Sequence, residues 1–459
     1  MPKSIALKQD SWFSDRNVIY DFPENWDVYE YAHRPLVKIS GQEIEKRINQ
    51  PVASEKLEQL VRPGQKILII CDDISRPTPL DSVLPLLLKI LLEQGIHKDR
   101  ISILVALGSH GPMSDHELTL KLGMQTVSTY TIHQHHPRKN NVLIGRTKLG
   151  TPVYINRLLM EHDLVLGLGG IYPHNLAGFS GGPKLILGVS GIKTILTLHR
   201  NRKGAGVGGD INNEFRQDLR EMAQMAKLKF IINLVLDKNR DIVEVVSGDP
   251  ENAFHKGVDF VRAHFTVPHP DSQNFDLVLA DVYPFDTSYA FARKGLWPIN
   301  VTQQKCMKLI VASMTRGMGG HLVFPIPNSQ NRLKKLTREW RHFGTGSFLK
   351  YSLGPKFSKF IKTYGRAHIA SSPPGRLSAS RNSRVHPTGT GHPVMILHQA
   401  AEKERLQLEK LPHLLFDDPV QCFDHINEHH NHRPLRVALY RNASLTFPLK
   451  NSGPDRASQ

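Results

Sequence analysis

Short apolar runs, each ending in polar or glycine-rich sequence, recur through the first half of the chain. KILIICD (66–72) gives way to the turn cluster DISRPTP, and ISILVALGSHG (101–111) passes from an apolar stretch into a loop. DLVLGLGG (163–170), FIINLVLD (230–237) and DIVEVVSGD (241–249) repeat the pattern. Runs of this length and apolarity predict buried strands. Segments of helical length lie between them. LDSVLPLLLKILLEQG (80–95) closes on Gly95, a C-cap signal. SDHELTLKLG (114–123) places Ser114 three residues before Glu117, the spacing of a capping box. ENAFHKGVDFVRAHF (251–265) also reads as helix.

The β–loop–α–β rhythm predicts an α/β fold with a mostly parallel sheet covered by helices. Ligands of such sheets bind beyond the carboxyl ends of the strands. DDISRPTP, ALGSHG and LGLGGIYPH all stand at strand ends, so chemistry is expected where these loops meet.

VPHPDSQN (267–274) reads as a linker, and FDLVLAD (275–281) as the first strand of a second domain. HLVFPIP (321–327) reads as another strand, and VMILHQAAEKERLQLEKL (394–411) as further ordered α/β material. The Ser-, Pro-, Gly- and Arg-rich stretch 366–392 reads as a mobile loop, and 450–459 as a disordered tail. PLRVALY (434–440) is expected to be a late strand returning to the first sheet. The expected organisation is a cofactor-binding and catalytic domain over 1–270, completed by a strand near 434–448, and a substrate-closing domain over 271–433. Each would carry a largely parallel sheet, with the active site in the cleft between them. A chain of 459 residues fits two domains.

Composition narrows the function classes. The three cysteines, Cys71, Cys306 and Cys422, are far apart, which argues against a disulfide framework or a CxxC metal site. The N-terminus lacks the apolar core of a signal peptide, and no run has the length of a membrane span. A soluble cytoplasmic protein is expected, with no membrane partner. The formal net charge is +17, with much of the excess in RLKKLTREWRH (332–342) and KFSKFIKTYGR (356–366). No zinc-finger spacing, RNP motif or basic zipper accompanies these runs, so nucleic acid is not the expected partner. Attraction of anionic substrates is the alternative use of the charge.

In DDISRPTP, two acids precede an Arg in a proline-stiffened loop. Arg76 can grip a carboxylate or phosphate in bidentate fashion, although an internal Asp–Arg turn explains the motif equally well. His110, at a strand end, is placed to face the same ligand. IYPHNLAGFSGGPK is the strongest signal. Gly178, Gly181 and Gly182 permit tight turns and close approach of a ligand. Pro183 before Lys184 and Leu185 after it break the Walker pattern, so Lys184 reads better as a covalent nucleophile of lowered pKa than as a phosphate lysine. His199 ends TILTLH on an expected helix, and its imidazole suits nickel, copper, zinc or iron. His133, His135 and His136 form a loop cluster to which no site is assigned.

Together these motifs resemble the nickel-pincer lactate racemase family. The resemblance runs from about residue 20 to about residue 265 and includes DDISRPTP, GSH, PHNLAGFSGGPK, LILGVSGIKTILTLH, GGDINNEF and SGDPENAFHKG. It implies an isomerase that racemises or epimerises a 2-hydroxy acid. It implies a nickel pincer cofactor, a pyridinium-3-thioamide-5-thiocarboxylic acid mononucleotide held covalently by Lys184, with His199 as the protein's nickel ligand. His110 and His174 would be the acid–base pair, and Asp73 and Arg76 would belong to the active-site loop. Proteins that make the cofactor are implied as partners. In DVYPFDTSYAFARKG, Lys294 falls where the family has a substrate-facing Lys, while Phe291 replaces a Gln and Gly111 stands where many relatives carry Arg. These departures predict a substrate larger or more apolar than lactate. The alternative is a non-catalytic relative that binds the cofactor or a nucleotide.

Overall fold

The computed structural model describes residues 3–204, 206, 208–268, 275–302, 306–319, 392 and 394–449. The N-terminal residues form an antiparallel hairpin of β1 (Lys3–Gln9) and β2 (Arg16–Phe22), followed by β3 (Trp26–Tyr31). The apolar runs then supply β4 (Ile67–Cys71), β5 (Ile101–Val105), β7 (Leu164–Gly170), β8 (Leu228–Leu236) and β9 (Ile242–Gly248), while β6 (Thr131–Gln134) is an edge strand that no apolar run announces. They make one sheet in the order β9-β8-β7-β4-β5-β6, parallel except for the β8/β9 hairpin. Every residue of β4 and β7 is buried, which is why these strands read as unbroken apolar runs.

Helices cover this sheet. In α1 (Leu84–Glu93), Leu84, Leu87, Leu88 and Leu91 are buried, each worth about 1.5–3 kcal/mol relative to exposure. Gly95, at φ +76°, ends the segment in the left-handed region. α2 (Asp115–Leu122) begins with the expected capping box: the Ser114 hydroxyl accepts from Glu117 N, and the Glu117 carboxylate accepts from Ser114 N at 2.7 Å. α3 (Ile192–Asn201), α4 (Glu214–Met225) and α5 (Asn252–His264) complete the elements that bear on the site.

The second sheet contains β10 (Leu277–Asp281), β11 (Met307–Val311), β12 (Val394–Leu397), β13 (Leu414–Phe416) and β14 (Leu435–Tyr440). Its order is β13-β12-β11-β10-β14-β3, parallel throughout. The 434–440 strand was expected in the first sheet; it lies instead in the second, between β10 and β3. Its alternation decides this. Leu435, Val437 and Leu439 pack with Ile5, Leu7, Tyr20 and Trp26, while Ala438 and Tyr440 join the core on the opposite face. Only the chain beyond it returns to the first unit, where Phe447 enters the core edge-on to Phe179. We propose that the domain boundary is discontinuous, with residues 3–31 joining 275–440.

The strand expected at 321–327, the basic runs at 332–342 and 356–366, the loop at 366–392 and the tail at 450–459 lie outside the described residues. No described helix is long and apolar enough to cross a membrane. All three cysteines are buried and unpaired.

Candidate active site

β7, β4 and β5 are neighbours in the sheet, so the three loops at their carboxyl ends lie side by side. Asp73, buried just beyond β4, accepts from His110 Nδ1 at 2.5 Å across the β5 loop. Its other oxygen accepts from the Ser75 hydroxyl at 2.5 Å. Burial alone would raise the Asp73 carboxyl. The His110 ring, its hydrogen bond, Arg76 and Ser75 outweigh burial and hold it well below the usual carboxylate range. An Nδ1–H committed to Asp73 puts the imidazole's basic lone pair on Nε2. Asp72 faces the other way. It pairs with Lys121 at 2.7 Å and accepts from the Thr78 hydroxyl at 2.7 Å and from Gly170 N at 3.1 Å. Tyr172 hydrogen bonds to Thr78 at 2.9 Å and ties the loop to the strand-end turn of β7.

The glycines of PHNLAGFSGGPK make the tight turns expected of them, with positive φ at Gly178, Gly181 and Gly182. At Gly181 (φ +85°) a Cβ would lie 2.8 Å from Ile171, and at Gly182 (φ +55°) 2.6 Å from Phe254. At these two positions the backbone closely approaches other parts of the protein. Asn233 on β8 accepts from Gly182 N at 2.7 Å, and the buried Arg216 of α4 donates to Phe179 O at 3.5 Å and Gly181 O at 3.3 Å. Its guanidinium also lies 3.5 Å from the Phe254 ring centroid. Burial pushes Arg216 down to about 9.

This frame carries His174 and Lys184. His174 Nδ1 accepts from Leu176 N at 3.2 Å and Ala177 N at 3.3 Å, so the neutral ring carries its proton on Nε2. Burial, then Lys184, Lys294, Arg76 and His199, hold its pKa well below the ordinary value. Burial also brings Lys184 down to about 7, aided by Arg76 and Arg216. On α3, His199 Nδ1 donates to Ile195 O at 2.7 Å. That bond leaves Nε2 unprotonated, the tautomer that ligates a metal. Burial lowers the His199 pKa as well.

The remaining wall comes from the turn after β10. Phe291 stands edge-on to His110 at 5.4 Å, and Phe285 edge-on to Tyr172 at 5.3 Å. Lys294 Nζ lies 4.3 Å from the Phe285 ring centroid and 5.6 Å from that of Phe291; it is buried without a hydrogen-bond partner. Burial, Arg76 and Lys184 hold it well below the usual lysine value. Among the described residues, Lys184 and Lys294 form no ion pair. Asp73 is committed to His110 and Asp72 to Lys121. The site therefore gathers basic groups with no carboxylate of their own, and an anionic ligand would favour their protonated forms.

Lys294→Met should stabilise the ligand-free protein by about 1–3 kcal/mol in urea melts, because it removes an unsatisfied buried donor. The folded-state pKa is depressed, so the penalty of Lys294 is greatest at neutral and acid pH and fades as pH approaches 10.5. A loss of stability at pH 7 would contradict the assignment.

Asp73 and His110 are thus in direct contact, and Arg76, His174, Lys184, Lys294 and His199 act on one another electrostatically. The 133–136 histidines stand apart. His135 is structural: Nε2 meets Ser190 O at 3.0 Å, Nδ1 accepts from Asn156 at 3.2 Å, and burial pushes its pKa down to about 4. Among the described residues, no three His, Cys, Asp or Glu side chains converge in a metal-binding group.

A family model described as the lactate racemase N-terminal domain matches residues 13–206. The lactate racemase of Lactiplantibacillus plantarum is 36% identical over 295 residues, covering 62% of this chain and 68% of the relative. The chain belongs to the lactate racemase family. Membership makes it an isomerase of the racemase type. The lactate racemase of Thermoanaerobacterium thermosaccharolyticum is 33% identical over 270 residues, 57% of this chain and 62% of that protein. The solved lactate racemase apoprotein from T. thermosaccharolyticum matches 98% of this chain and 100% of its own length, with TM-score 0.68 and 22% identity. A Thermotoga maritima protein structure matches with TM-score 0.57 and 18% identity, covering 91% and 100%. These two likenesses establish a shared fold across both sheets.

Proposed function

We propose that this racemase family member inverts the hydroxyl-bearing carbon of a 2-hydroxy acid, with a nickel pincer pyridinium mononucleotide attached to Lys184. The observation that carries the reading is the gathering of an Asp–His dyad, a second histidine, Arg76 and two lysines without ion-pair partners at adjacent strand ends. The residues fit the cofactor. Lys184 is an amine whose pKa near 7 makes it nucleophilic at neutral pH. His199 is held in the ligating tautomer by Ile195 O, and basic groups without carboxylate partners suit a phosphate and a carboxylate. When bound, the cofactor would supply the hydride-accepting and hydride-donating chemistry at the substrate carbon.

Arg76 and Lys294 bind the substrate carboxylate. His110, oriented by Asp73, takes the hydroxyl proton at Nε2. His174 holds a proton at Nε2 and donates to the substrate oxygen. The pair starts unequal, because an imidazolium at His174 would set Nδ1–H against two backbone N–H groups. Return of a proton on the opposite face then balances only when His110 releases the proton it took and His174 gains one at Nδ1 before giving up the one at Nε2.

Protein co-expressed with cofactor-making enzymes should carry a covalent adduct and about one nickel per chain under this mechanism. It should interconvert 2-hydroxy acid enantiomers in a chiral chromatography assay. Loaded protein that racemises no 2-hydroxy acid would refute the reading.

Phe291 and Phe285 make the second wall apolar, which supports a substrate with a larger apolar side chain. Phe291→Gln should raise the kcat/KM ratio of lactate over 2-hydroxy-4-methylpentanoate by about tenfold. An unchanged ratio, or equal use of both acids by the wild type, would sink this substrate assignment.

A further inference from the structure

The loop that carries Arg76 is held from outside by two cations that no motif marked. Lys121 of α2 is fully buried and donates to Arg76 O at 3.0 Å and to Thr78 O at 2.9 Å. Arg240, in the turn between β8 and β9, donates through Nε to Pro77 O at 3.2 Å. Three successive carbonyls, 76 to 78, are therefore fixed by side chains from two different elements. The loop cannot supply such support itself. Pro77 and Pro79 lack N–H groups, so the segment has few donors for a ladder of its own.

The two cations share an aromatic support. The Arg240 guanidinium lies 3.9 Å from the Trp12 ring centroid, and the Lys121 ammonium 5.1 Å from it. Each has one carboxylate, Asp72 for Lys121 at 2.7 Å and Asp15 for Arg240 at 2.8 Å. Lys121 spends its other two donors on the loop backbone and Arg240 its Nε–H, and the Arg76 guanidinium is the cation that reaches His174, Lys184 and Lys294 electrostatically.

We propose that Lys121 and Arg240 are positioning residues for Arg76, fixing the main chain from which its guanidinium grips the carboxylate of a 2-hydroxy acid. This rests on the reading of Arg76 given above. A misplaced guanidinium still carries its charge but loses the two-pronged geometry, so the defect falls on substrate binding more than on proton transfer.

The test is a double-mutant cycle on cofactor-loaded protein. Arg240→Gln and Lys121→Met are each made with Arg76 present and with Arg76→Met. Lactate is the probe, since every 2-hydroxy acid shares its carboxylate and hydroxyl. The readouts are the lactate Kd by calorimetry, KM and kcat, the adduct by intact mass, and the melting curve. With Arg76 present, Arg240→Gln should retain the adduct and raise Kd and KM by about tenfold, with kcat changed less than about threefold. In the Arg76→Met background the same substitution should raise Kd by less than about twofold. Arg240→Lys should fall between, since it keeps the charge without the fork. An unchanged Kd in Arg240→Gln, or an equal rise in both backgrounds, overturns the positioning role while leaving the assignment of Arg76 intact. An unchanged Kd in Arg76→Met overturns that assignment and the proposal with it. Because Lys121 is fully buried, its variant can fail to fold; Arg240, at a hairpin turn, then decides the outcome alone.

Discussion

Lys184→Ala is expected to give a folded protein with no covalent adduct and no measurable racemase activity. The substitution removes the amine and leaves its surroundings intact. Gly182 N stays on Asn233, and Arg216 stays on Phe179 O and Gly181 O. Melting temperature should therefore hold or rise, because a cation crowded by Arg76 and Arg216 is gone. Lys184→Arg should be equally inactive, since a guanidinium is never deprotonated and cannot act as the nucleophile. The depressed pKa also fixes a pH dependence. Attachment requires the neutral amine, so its rate should be half-maximal near pH 7, plateau above pH 8 and fall about tenfold per unit below pH 6. Intact mass against time over pH 5.5–9 measures this. An adduct that survives Lys184→Ala would overturn the anchor, and a midpoint near 10 would overturn the environment assigned to it.

Asp73→Asn should reduce kcat by about 10²–10⁴-fold with little change in fold. Asparagine has nearly the same shape, but its amide presents N–H groups as well as an oxygen. The His110 ring can then turn its unprotonated nitrogen toward residue 73 and its N–H toward the substrate, which is the wrong tautomer for a base. The loss should persist at every pH, since the defect is not one of charge alone. Cofactor adduct and nickel content should be unchanged, which separates this effect from that at Lys184. Asp73 also contributes to stability. Its folded pKa is depressed, so the contribution is present above the unfolded carboxylate value and is lost only as pH falls through the lower folded value. Wild type and Asp73→Asn should therefore differ in melting temperature at pH 6 and converge in strong acid. Full activity in Asp73→Asn would mean that His110 does not depend on this carboxylate.

Five strands of the first sheet were legible because they are almost wholly buried and read as apolar runs, whereas the edge strand Thr131–Gln134, with no fully buried residue, gave no such signal. The strand-end loops were legible for the same reason, and Asp73, His110 and Lys184 came with them. Strand partners were harder to read. Leu435–Tyr440 pairs with Trp26–Tyr31 in parallel, and no local signal announces a partner at such sequence separation. Lys121 and Arg216 were invisible for a different reason. A charged residue in a helix usually faces water, yet both are fully buried because backbone carbonyls of the site loops take their protons. The glycines at 181 and 182 were found, but a sequence cannot tell a backbone that approaches a ligand from one that approaches Phe254.

The place of β3 at the edge of the second sheet has a consequence for synthesis. Its partner β14 leaves the ribosome about 400 residues later, which at 5–20 residues per second is about 20–80 s. The first sheet is complete once residue 248 has emerged and can assemble during that interval. Throughout it, Ile5, Leu7, Tyr20 and Trp26 lack the strand that will cover them. Nascent chains halted between 270 and 430 should therefore carry a protease-resistant first sheet and an N-terminal arm still open to chaperones and to cleavage.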